Sequence, residues 1–144
     1  MDVSELRKRI LHALDDARKE ASTRRLAVDE AGKAYEGFLL NIAVPLVRQA
    51  AQVLNATRES FAVHTPAGSV RLVSDKSAQT FLEFVLDTTG AEGTVIGRVS
   101  LARGRQGVVV EERPVVRGKS VEALTEEDVS AFLVAEIPKL IVRA

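Results

Sequence analysis

The sequence predicts an α+β protein in which helices cover one face of an antiparallel sheet. Apolar residues recur at three- and four-residue steps through roughly the first sixty positions, where glycine is scarce. After Thr57 the period drops to two and turn residues punctuate the chain. A helical pattern returns once more after Thr125. That succession of helix, strands and helix is the signature of a one-sided layered fold.

The first helix carries a narrow stripe of Leu6, Ile10, Ala13, Leu14, Ala17 and Ala21. Asp2 is placed to cap it, with Glu5 reaching back to the Asp2 amide in a capping box. Ser22-Thr23 reads as a break, so two N-terminal helices are expected. From about Arg24 the pattern resumes through Val28, Ala31, Tyr35, Phe38, Leu39, Ile42, Leu46, Val47, Ala50, Val53 and Leu54. Pro45 is expected to kink this second helix, because it lacks an amide donor and crowds the preceding turn. A helix from Arg24 to Thr57 would run to about 50 Å, longer than a compact domain of this size is wide. Either it folds back at Pro45 or an end projects and needs a partner.

Five strands are expected as an antiparallel meander: Phe61–His64, Ser69–Val73, Thr80–Asp87, Thr94–Ala102 and Val108–Val116. Pro66-Ala67-Gly68 suits the first hairpin, and Gly104-Arg105-Gln106-Gly107 the last. Pro114 marks the fifth strand as an edge. Thr125 caps the final helix, with Glu126, Glu127 and Asp128 at the positive end of its dipole. The buried stripe there is Val129, Phe132, Leu133, Ile137, Leu140 and Ile141, and Pro138 should kink or shorten it. No repeat or linker interrupts the chain. The reading is one domain over 1–144: a helical region at 1–57, a sheet at 60–117 and a C-terminal helix at 125–143.

Composition bounds the chemistry. Cysteine is absent, which excludes thiol nucleophiles and disulfides. The opening residues lack the uninterrupted apolar core of a secretory signal, and the longest apolar run, Ile42–Val47, is short for a membrane span, so a cytoplasmic address is expected. Formal net charge is zero, yet residues 94–119 hold six cations against two carboxylates, and residues 120–144 hold five carboxylates against two cations.

The search for chemistry yields no catalytic residue, no metal ligand set and no cofactor motif. His12 lies beside Asp15 and Asp16, which on a helix reads as a solvated salt bridge. His64 ends a strand and could face a pocket with Ser74, Asp75 and Ser77, but no nucleophile elbow accompanies it. Arg103-Gly104-Arg105-Gln106-Gly107 could grip an anion through forked donors, but reads first as a soluble hairpin tip. His64, Arg103, Arg105, Gly104 and Gly107 are therefore the candidate ligand contacts. Aromatic residues total 4%, and most sit where a core wants them, which disfavours a stacking platform for nucleic acid.

By elimination the expected function is a non-enzymatic, homodimeric interaction or adaptor protein, with Tyr35, Phe38 and Ile42 as the dimer seam. One alternative is a small-ligand or enzymatic domain with a pocket near His64 or the Arg103–Gly107 hairpin. Another is weak nucleic-acid binding through that basic hairpin, with the salt dependence that phosphate contacts impose.

Overall fold

The computed structural model describes residues 2–141. Three helices and five strands follow in the order α1 (Val3–Phe38), α2 (Val44–Ala56), β1 (Phe61–His64), β2 (Val70–Ser74), β3 (Ser77–Asp87), β4 (Thr94–Ala102), β5 (Val108–Pro114) and α3 (Glu126–Ile141). The predicted α+β class, antiparallel meander and C-terminal helix packed on the sheet are all present. The last two predicted helical residues, 142 and 143, lie outside the described residues.

The N-terminal region departs from the expected pair of helices. Ser22-Thr23 does not break α1, because the Thr23 hydroxyl donates to the Lys19 carbonyl at 3.0 Å and is absorbed into the helix one turn back. Asp2 does cap the start, accepting from the Glu5 amide at 2.8 Å. The Glu5 carboxylate, however, lies 3.5 Å from Arg9 instead of closing the box. A π turn at Leu39–Ala43 joins α1 to α2, with the Val44 amide donating to Leu39. It ends two residues before Pro45, whose ring would otherwise crowd the carbonyl four residues back. The result is one rod from Val3 to Ala56, 54 residues and about 80 Å long.

Length and composition alone would let part of this rod cross a membrane, since Arg48 is its only charged residue after Glu36. In the fold, that half buries Phe38, Leu39, Ala43, Val47, Ala51 and Leu54 against the sheet.

The rod ends in a Schellman arrangement. Arg58 takes a positive φ of 68°, while Glu59 donates to Leu54 at 2.9 Å and Arg58 to Asn55 at 3.2 Å. The Asn55 side-chain amide then brackets the backbone of Phe61, accepting at 2.9 Å and donating at 3.1 Å, which fixes where β1 begins.

The sheet order is β1-β2-β3-β4-β5, so β5 is an edge as Pro114 predicts. β3 starts three residues earlier than expected, leaving Asp75-Lys76 as the turn, with a register irregularity between Val73 and Ser74. One face turns Val70, Leu72, Leu82, Phe84, Val95 and Val99 toward the helices. Tyr35, Phe38, Phe84 and Phe132 form a chain of rings with centroids 5.7 to 6.0 Å apart. The Cζ end of the Phe132 ring presses on Gly97, where any Cβ would fall 2.0 Å from Cζ. Gly93 similarly admits α1, since a Cβ there would sit 2.6 Å from Ala31.

α3 starts as expected: Asp128 donates to the Thr125 hydroxyl at 3.2 Å and accepts from its amide at 3.0 Å. Pro138 does not end it, and the helix continues to Ile141.

Candidate interaction surface

The buried part of α1 begins only at Ala31; every residue from Asp2 to Glu30 is exposed. Some 40 Å of helix therefore stands clear of the core. At about 100° per residue, Leu6, Ile10, Ala17, Ala21 and Val28 fall on the meridian that Ala31, Tyr35 and Phe38 bury against the sheet. The exposed stripe is thus the collinear continuation of the packed face. Leu6 is 47% exposed and Ile10 50%, and Leu14 lies alongside them. The flanks hold intrahelical pairs, Glu5 with Arg9, His12 with Asp16 and Asp15 with Lys19, the last at 3.1 Å. All are solvent-facing and worth little individually.

Where the rod meets the body, a crevice of about 420 Å³ opens between α1 (Lys19 to Ala31) and the β3–β4 connection. Its floor is Ala27, Val28, Ala31, Ala91 and Gly93. The Asp87 carboxylate holds this connection, accepting from the Thr89 hydroxyl at 2.7 Å and amide at 2.9 Å, and these bonds keep it below the usual carboxylate range. An adjoining hollow of about 210 Å³ is rimmed by Glu30, Glu92 and Glu122. None of the three has an ion-pair partner among the described residues.

The second uncovered surface is the sheet face turned away from the helices. The register places His64, Arg71, Glu83, Arg98 and Glu112 in one row across all five strands. Arg71 meets Glu83 at 2.8 Å, Arg98 meets Glu83 at 3.0 Å, and Arg98 meets Glu112 at 2.8 Å. Between two guanidiniums the Glu83 side chain is only 3% exposed, although no helix covers it. Arg71 also lies over the Phe81 ring at 4.1 Å. Beside the row, Val73, Phe81, Val85 and Ile96 are half-buried. A third surface, an apolar groove of about 440 Å³, runs between α2 and α3 beside Val53, Leu133 and Val134.

The sequence-predicted contacts do not converge. His64 is exposed at the end of β1, beside Arg71 in a shallow recess with Thr65 and Pro66. Arg103 to Gly107 form the β4–β5 tip, at the opposite end of the sheet and beside the opposite edge. There the Arg103 amide donates to Gly107 at 2.8 Å, and Gly104 and Gly107 supply φ of 57° and 84°. That geometry is a tight hairpin with both arginines in solvent.

Tyr35 and Phe38 do not face outward. Both are buried in the core of their own chain, and the Tyr35 hydroxyl donates to the Phe84 carbonyl at 2.9 Å. Burial, with the Glu83 charge adding to it, pushes that phenol well above its ordinary range. Ile42 is half-buried against the same core. The expected seam therefore lies where the sheet already covers the rod, while uncovered apolar surface lies nearer the N-terminus.

The charged row escapes a reading of composition alone. Positions 71, 83, 98 and 112 align only once the hairpin lengths are known, and the two-residue β2–β3 turn was the one misplaced. Among the described residues no group of three histidine, aspartate or glutamate side chains is placed to share a metal ion. Comparison with protein-family models, with curated proteins and with solved structures finds no match to this chain.

Proposed function

We propose that this is a non-enzymatic interaction protein that pairs with a second copy through the free N-terminal half of α1 and offers its open sheet face to another macromolecule. The observation that carries the reading is the apolar stripe of Leu6, Ile10, Leu14 and Val28, held in solvent as the extension of a face that is buried elsewhere on the same helix. Soluble proteins rarely leave such a strip uncovered, and a second copy is the commonest cover.

The energetics support pairing at accessible concentrations. Each of the four side chains is roughly half exposed, so covering it contributes about 1 kcal/mol. Across two protomers that is about 8 kcal/mol gross, from which the loss of translational and rotational freedom subtracts. With that cost at its lower end, about 4 kcal/mol, the remaining ~4 kcal/mol corresponds to a dissociation constant of about 1 mM, so pairing is expected toward millimolar concentration.

Light scattering at concentrations raised into the millimolar range tests the reading. A mass of two chains is expected, and Leu6→Asp with Ile10→Asp should return it to one. Both side chains lie outside the core, so circular dichroism and the unfolding midpoint of the body should stay as in the parent. A parent that is monomeric throughout would overturn the proposal.

A further inference from the structure

The two edges of the sheet differ. At β1 the outward-facing backbone of Phe61 is already occupied, its N–H and C=O both bonded to the Asn55 side chain. β5 has no such cover, and every residue from Val108 to Arg113 is exposed. The Val115 amide donates to the Val95 carbonyl and the Arg103 amide to the Gly107 carbonyl, and the register between them runs without a bulge. Antiparallel alternation therefore turns the N–H and C=O of residues 109, 111 and 113 to β4, and those of Val108, Val110 and Glu112 outward. Pro114, which has no N–H, falls in the same outward phase, where no ladder bond is lost.

The side chains on that edge describe what pairs with it. On the open face Arg71, Glu83, Arg98 and Glu112 alternate cation and carboxylate from β2 to β5, each bonded to the next. The row stops at the edge on a half-exposed carboxylate that is bonded on one side only, so its next rung calls for a cation. In the neighbouring row Val73, Phe81 and Ser100 lead to Val110. We infer that β5 accepts an extended segment of another protein as a sixth, antiparallel strand, with lysine or arginine opposite Glu112 and β-branched residues opposite Val110 and Val108. A second copy fits worse. Any in-phase two-fold pairing of β5 with itself over most of its length sets Glu111 or Glu112 opposite or diagonal to its own copy. This inference narrows the open-sheet half of the reading above and does not depend on pairing through α1.

The probe is the acetylated, amidated peptide Lys-Thr-Val-Thr-Val, titrated to about 5 mM against isotope-labelled protein and followed by NMR, since so short a strand pairs weakly. Amide shifts are expected at Val108, Val110 and Glu112, whose N–H groups should also exchange quickly in the free protein and slowly in the complex. N-methylation of the peptide's first valine should abolish binding, because that N–H meets the Val110 carbonyl, whereas N-methylation of its second threonine, whose N–H points away, should not. Val110→Pro removes one outward donor, keeps every bond to β4 and should also abolish binding. Glu112→Lys should weaken binding of this peptide about threefold to tenfold and favour Glu-Thr-Val-Thr-Val instead. The inference is overturned by no shift at β5 with either peptide, by equal effects of the two methylations, or by a Glu112→Lys protein that still prefers the lysine peptide. Shifts confined to Arg71 and Phe81 would also overturn it, while leaving the open face as a docking surface. The Leu6→Asp, Ile10→Asp protein should bind the peptide as the parent does, so a failure of self-association leaves the edge site standing.

Discussion

Gly97→Ala adds one methyl group at the tightest point of the core. Its Cβ would fall 2.0 Å from Phe132 Cζ and within 2.7 Å of two further ring carbons. The ring has little room to retreat. Phe84 stands 5.7 Å away by centroid on one side, and the Arg113 guanidinium lies over the ring at 4.5 Å. Overpacking of this kind usually costs about 1–3 kcal/mol, and a ring hemmed in by a second ring and a paired guanidinium places the cost at the upper end, about 3 kcal/mol. Phe132→Leu removes the clashing atoms and leaves a void, which should cost about 1–2 kcal/mol by itself. The two substitutions share one volume, so the double variant should be less destabilised than the sum of the singles by at least 1 kcal/mol. Urea unfolding followed by circular dichroism measures all four corners of the cycle, with an unchanged slope required for the comparison to hold. A Gly97→Ala variant within about 0.5 kcal/mol of the parent, or strict additivity in the cycle, would refute the account of how α3 is seated on β4.

Glu136 is buried between Arg113 and Lys139, with Lys139 at 3.1 Å. Burial pushes its carboxyl up, but hydrogen bonds from Arg113 and Lys139 and their charges outweigh that and leave it below the ordinary range. A depressed native value means stability that is full above the unfolded carboxylate range and lost as pH falls through the native one, so the parent should weaken in acid below about pH 4.5. Glu136→Gln should cost about 1–3 kcal/mol at pH 7 and flatten that acid limb; an equal slope in both proteins would remove Glu136 from the explanation. Arg58→Gly should stabilise the protein by about 0.5–1 kcal/mol, because a residue with a Cβ occupies the left-handed position of the Schellman cap, and a loss of stability in thermal melts would contradict that.

Much of this architecture was legible in one chain because it follows from local periodicity. The strands from Phe61, Thr94 and Val108 start where alternation begins, and Thr125 caps α3 because its hydroxyl and Asp128 sit at the right offset. What failed depended on a competition that sequence does not display. Thr23 could break or join a helix, and its bond to the Lys19 carbonyl decided for joining. Pro45 could end the helix or only disturb it, and a single π turn beside it lets the helix run on. The burial of Tyr35 and Phe38 was hidden for a different reason. Tyr35 and Phe38 were correctly placed on the apolar stripe, but a stripe carries no label saying which stretch of it the sheet will cover. Length settles that: the body buries the rod only from Ala31 onward.

The bare half of α1 does not depend on pairing merely to be helical. Helix formation is limited by its first turn, and here that nucleus is already supplied by residues 31–56, locked onto the sheet by Phe38, Ala43 and Val47. Propagation outward then proceeds through alanine, leucine, lysine, arginine and glutamate, which favour helix, and the Asp2 cap closes the free end. A second copy is therefore asked only to cover a stripe on a rod that is already formed. Because the ordering of those residues is complete before association, the entropic cost of pairing is largely that of bringing two rigid bodies together, and a narrow strip of leucine, isoleucine and alanine can suffice where a disordered tail of the same composition would not.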